Sequence, residues 1–282
     1  MESTPLPRLT LAMSRAATIE MHPENQSYWR LSVTPLHTLV FLLPLIVMYE
    51  VGSILYLQNA TSGTMRTVGA RAILTRFFDA FGAPGLHLPA ITLVVVLFTW
   101  HVFTREKWRI YPGVLIGMAM ESAALVLPLL VLGLIVDRRL GVQGAAPAAG
   151  QFIELAGVAT ADLRALPWQE RLTLSIGAGL YEELVFRLVM ITAIHALLAD
   201  VFRINKGTAA VIACAVSAVS FALYHDVSIS GVRGTADMRV LVFLTGAGLY
   251  FGVLFLIRGF GIVVAVHALY DIVVLVGIAS KG

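Results

Sequence analysis

Seven stretches of this chain are apolar over about the 20 helical residues needed to cross a hydrocarbon layer. They are residues 36–57, 88–104, 113–136, 172–198, 208–228, 239–257 and 260–279. This spacing predicts an all-α polytopic membrane protein, a bundle of about seven or eight transmembrane helices. Composition agrees with that class. Of the 282 residues 58% are hydrophobic and 13% charged, and mean hydropathy is +0.85. A soluble domain is about 45–50% apolar and about 25% charged. The net charge of +3 falls mainly between the apolar runs, where bilayer topology places it. Membrane lipid is therefore the expected surrounding, and no nucleic acid partner is indicated. One cysteine, Cys214, rules out an intrachain disulfide.

Residues 1–33 read as a polar N-terminal tail without the pattern of a signal peptide. Residues 34–282 read as a single membrane domain, with its distinctive polar residues in a core at 165–280. The first span is interrupted by Pro44. Arg66, Arg71 and Arg76 in the 58–87 connection lie all around any helix, which gives a poor amphipathic face. The 137–171 connection is partly Ala/Pro/Gly-rich, with a surface or re-entrant helix expected at 151–164. If the spans alternate, Lys and Arg divide nine against ten between the two faces, so the positive-inside rule chooses no orientation. The expected location is integral and multi-pass, in the plasma membrane for a bacterial chain. Oligomeric state is not encoded in any pattern found.

The stretch GLYEELVFRLVMI, residues 179–191, carries Glu182, Glu183 and Arg187 inside an apolar run. Each charge at mid-membrane costs roughly 2.5–3.5 kcal/mol on an insertion scale. Glu183 and Arg187 are spaced i, i+4, so they share a face and can pair. Glu182 lies about 100° around the helix and needs another partner. The plain alternative is a salt bridge that only fixes packing, and it leaves Glu182 unexplained. In SAVSFALYHD, Phe221 and His225 share a helix face; in AVHALYDIV, His267 and Asp271 do so. Either histidine could instead be interfacial or lock two helices together. By depth, Glu182 lies roughly 15 Å into the fourth span and His267 roughly 10 Å into the seventh. With the seventh span read as running the same way as the fourth, and the fifth antiparallel, Glu182, His225 and His267 can converge. Their cavity then opens toward the face carrying the 137–171 connection.

EELVFR (182–187), FALYH (221–225) and HALYD (267–271), in that order on late spans, resemble the CAAX prenyl endopeptidase and bacteriocin-processing family of intramembrane proteases. Its motifs are EExxxR, FxxxH and HxxxN. The segment GLYFGVLFLIRGFGIVVAVHALYD is similar to the family's approach to its last motif, and the resemblance covers about residues 165–280. It implies an endopeptidase acting on a protein or peptide substrate. Glu182 would activate a water held also by His225, Glu183 and Arg187 would support them, and His267 would stabilise the oxyanion. Asp271 stands where the family usually has Asn, although other members carry an acidic residue there. An ionised Asp only accepts hydrogen bonds, whereas Asn also donates. Asp271 could serve protonated, by orienting His267, or as a metal ligand.

Burial pushes a carboxylate and an imidazole toward neutrality from opposite sides, which suits acid–base exchange. No cofactor is favoured. Zinc is the rival, held by Glu182, His225 and His267, although no HExxH helix is present. Two other function classes use the same residues: a proton-coupled transporter and a catalytically inactive membrane scaffold. Glu50 and Glu121, lone carboxylates in early spans, are weaker site candidates. Gly246, Gly248 and Gly252 read as helix-packing positions.

Overall fold

The computed structural model describes residues 27–58, 67–83, 85, 87–140, 166–233 and 238–278. The fold is all-α. A single turn, Tyr28–Leu31, precedes α1 (Pro35–Tyr56), α2 (Gly69–Ala80) and α3 (Leu88–Thr104). The helices α4 (Pro112–Leu125) and α5 (Leu127–Leu140) follow end to end. Next come α6, which starts as Trp168–Glu183 and runs on through π and α turns to Val201, and α7 (Lys206–Arg233). The last helical stretch, Met238–Asp271 with a π-helical extension Ile272–Ile278, is split at Gly259. Its two legs are α8 (238–258) and α9 (260–278).

Gly259 has φ 78° and ψ −179°, a region open essentially to glycine alone. The legs fold back on each other there. Phe251 and His267, eight residues on either side of Gly259, stack at 4.7 Å, whereas 16 residues of straight helix would separate them by about 24 Å. Among the described residues, five helical stretches are long and apolar enough to cross a membrane. Counting the hairpin's two legs and the 17-residue α3, which lies at the short end of the spanning range, each of the seven expected crossings falls on a described helix. Pro44 does not break the first of them, since α1 runs through it. The 58–87 connection contains the helix α2, and Arg71 on it is buried at 2% exposure. The helix expected at 151–164 lies outside the described residues.

The rungs between helices fix their directions. Thr173 of α6 meets Gly52 of α1, and Gly177 meets Tyr49. Ser217 of α7 donates to the Phe186 carbonyl, and His225 reaches Glu182. Arg171 donates to the Leu275 carbonyl at 3.0 Å, Gly179 abuts Ala268, and Glu183 reaches His267. In each series one number rises as the other falls. The fourth and seventh spans are therefore antiparallel, contrary to the direction assumed from depth, as an even and an odd crossing must be.

The small residues act as expected of packing positions. A Cβ on Gly248 would lie 2.9 Å from the Ala218 Cα, and one on Gly252 2.5 Å from Cys214 Sγ. Near the hairpin turn, Glu121 is tied down rather than placed in a site. Arg258 donates to it from Nε at 2.5 Å and Nη2 at 2.7 Å, and also to Ser32 Oγ. Tyr28 donates to the same carboxylate. Burial and that hydrogen bond push the Tyr28 phenol up to about 12, so it remains a donor at ordinary pH. The last residues of the expected tail are thus docked on the bundle.

Candidate active site

The three motifs meet at one point. Glu182 is buried on α6 at 4% exposure. Its Oε2 lies 3.4 Å from His225 Nε2 on α7 and 3.9 Å from His267 Nε2 on α9. His267 Nδ1 is 2.7 Å from Glu183 Oε1, and its Nε2 is 3.6 Å from Asp271 Oδ2. Arg187 Nη1 closes the set 3.1 Å from the same Glu183 oxygen. All six residues singled out from the sequence are brought together.

Hydrogen-bond chemistry fixes much of the protonation pattern. His225 Nδ1 is 2.9 Å from the Phe221 carbonyl oxygen. A carbonyl only accepts, so Nδ1 carries the proton, and Nε2 of the neutral ring turns a lone pair toward Glu182. Glu182 Oε2 has no hydrogen-bond donor among the described residues. With that ring neutral, two acceptors face each other in a buried place, an arrangement that needs a shared proton or a water donating to both. His267 is held in the same sense. Its Nδ1–H donates to Glu183, and its Nε2 points at Glu182 and Asp271.

The charges balance only with added protons. Three carboxyl groups and one guanidinium are buried here, so a neutral site needs two more positive charges. The imidazoles and carboxyls can take them up, which makes exchangeable protons an inherent property of the cluster. Glu183 and Arg187 are both wholly buried. Arg187 is capped by aromatic faces, its guanidinium carbon 4.4 Å from the Phe221 ring centre and 5.2 Å from that of Phe251, and it donates to the Gly248 carbonyl. Phe251, whose ring stacks on His267, has no motif of its own and was not singled out. The only signal for it is its place in the run leading to HALYD.

The two motif helices that carry the carboxylates change character where those groups sit. α6 becomes π-helical at Leu184, directly after Glu183, and α9 does so at Ile272, directly after Asp271. π-turns of this kind are frequent at functional sites.

Glu50 lies beside the cluster but not in it. It accepts from Tyr181, the neighbour of Glu182, at 3.0 Å, and pairs with His87 at 2.5 Å and Arg71 at 3.9 Å. This second polar knot fixes α1, α2 and the start of α3 against α6. As for a metal, the described residues contain no group of three His, Cys, Asp or Glu side chains placed to hold one. Zinc on Glu182, His225 and His267 stays the rival expectation to a metal-independent mechanism.

Residues 164–273 match the family model for type II CAAX prenyl endopeptidase Rce1-like proteins. The matched region includes all three motifs and bears out the resemblance they carry. The motif-bearing part of the chain is thus similar to type II CAAX prenyl endopeptidases, and it is set in an integral, multi-pass membrane protein. No curated protein and no solved structure matches the chain.

Proposed function

We propose that the chain is an intramembrane endopeptidase in which Glu182 and His225 activate a water that attacks a peptide bond of a protein or peptide substrate. The observation that carries this reading is the orphaned Glu182 Oε2, buried and without a donor among the described residues, 3.4 Å from the Nε2 of an imidazole whose Nδ1 proton is committed to the Phe221 carbonyl. A water donating to both is polarised for attack, and Glu182 takes its proton as general base. That proton then goes to the leaving amine.

His267 is suited to the developing oxyanion. With both ring nitrogens protonated, Nδ1–H stays on Glu183 and Nε2–H is free to point at the reacting carbonyl. Arg187 balances Glu183, so Glu183 can hold His267 without leaving a bare charge in the bundle. Asp271 sits farther from His267, at 3.6 Å against 2.7 Å for Glu183. Its role in this account is to offset the charge of that imidazolium rather than to orient it.

The family's name points to prenylated C-terminal peptides, and a substrate presented from the bilayer suits a site enclosed by spanning helices. The test is to incubate the purified protein, in lipid nanodiscs, with a peptide library including prenylated members and to identify products by mass. Cleavage lost in His225→Asn, with melting unchanged, supports the site. Cleavage that persists in that variant, or proton flux without cleavage, sinks it. Cleavage that is lost to a chelator and restored by zinc replaces the proposed water activation with a metal.

A further inference from the structure

A cavity lies at the face of the bundle that carries the Gly259 turn, away from the catalytic cluster. It has a volume of about 360 Å³, within the range of small-ligand sites. It is formed where the start of α1, the end of α3 and the start of α4 come together. Arg30, Arg105, Lys107 and Arg109 line it with Thr34 and the single acid Glu106. None of the four basic side chains forms an ion pair among the described residues.

The back wall is rigid and its polar groups are already satisfied. Thr34 Oγ donates to the Leu31 carbonyl and accepts from His37 Nδ1, while the Tyr111 N–H donates to His37 Nε2. The His37 and Tyr111 rings lie parallel at 6.0 Å. His37 is therefore a fixed wall, and the unfilled binding capacity is cationic. The depth of the cavity is marked by exposed aromatics. Trp29, Trp100 and Trp108 are 63%, 43% and 62% exposed, the belt expected at headgroup level. Below it the outer face of α3 is apolar and exposed, with Val95, Phe98 and Val102.

We propose that this cleft binds the phosphate of an anionic phospholipid headgroup, with the acyl chains running down the exposed face of α3. Clustered basic side chains between spanning helices at the interface recognise such headgroups, and guanidinium groups suit phosphate oxygens. A free phosphate has the same chemistry. The aromatic belt and the apolar face favour the lipid.

The test is native mass spectrometry of the purified protein with added phosphatidylglycerol or phosphatidylcholine. The wild type should retain phosphatidylglycerol in preference by about tenfold. Lys107→Gln with Arg109→Gln should remove the preference. Arg203→Gln with Lys206→Gln takes the same charge from the same face outside the cleft and should leave it intact. All four positions are exposed, and unchanged melting will confirm folding. Equal loss in both double variants, or loss in neither, contradicts the proposal. Full displacement of the lipid by inorganic phosphate or glycerol phosphate also contradicts it, and makes the cleft a site for a soluble anion.

Discussion

At the scale of single residues, the site separates into groups that face the reaction and groups that hold them. Glu183 is the clearest holder, since it carries His267 on one side and Arg187 on the other. Glu183→Gln leaves a wholly buried guanidinium unpaired and should cost about 3–5 kcal/mol of stability, read as a lower melting temperature in detergent. Replacing both, as Glu183→Gln with Arg187→Met, should regain most of that stability but not the cleavage. Asp271→Asn, which supplies the amide the family uses, should change cleavage by less than about tenfold, because Glu183 still orients the ring. A larger loss measured in the same assay would give Asp271 a direct part. These residues were legible in the sequence because i, i+4 spacing is a local property of a helix. The partners of Glu50 and Glu121 were not. Tyr181, His87 and Arg71 for the first, and Arg258, Tyr28 and Ser32 for the second, are far apart in the chain and meet only through packing.

At the scale of helices, the site depends on close approach of α6 and α9. A Cβ at Gly179 would fall 2.8 Å from the Ala268 nitrogen and the Val264 oxygen, both backbone atoms that cannot step aside. Gly179→Ala should therefore push the two helices apart one turn from the Glu183–His267 contact. A displacement on the order of 1 Å costs about 10²-fold in rate, so cleavage should fall by that factor while the protein still folds. Unchanged cleavage would mean that the helices can shift without disturbing the site. The apolar runs disclosed each spanning helix among the described residues, because hydropathy reports burial in lipid directly. They did not disclose the Gly259 reversal or the π-turns after Glu183 and Asp271, which depend on backbone geometry that apolar content does not encode. The assumed direction of the seventh span failed for a related reason. Depth along a helix says how far a residue lies from an end, and only the count of crossings says from which end.

At the scale of the whole molecule, the seven spanning helices among the described residues place the connections alternately. The stretches around Lys107 and Asn205 share the face of the Gly259 turn, and Ala83 lies on the other. In a Cys214→Ser background, Lys107→Cys and Asn205→Cys should be labelled by an impermeant thiol reagent from one side of sealed vesicles, and Ala83→Cys from the opposite side. Labelling of all three from one side would overturn the topology. The bundle's purpose, on this account, is to bring one carboxylate and two imidazoles from three helices around a single attacking water. The most direct measurement is the cleavage rate of Glu182→Gln, which keeps the shape of the side chain and removes its basicity. With melting and peptide binding unchanged, the rate should fall by at least about 10²-fold. A rate equal to that of the wild type would contradict the assignment of Glu182 as the base.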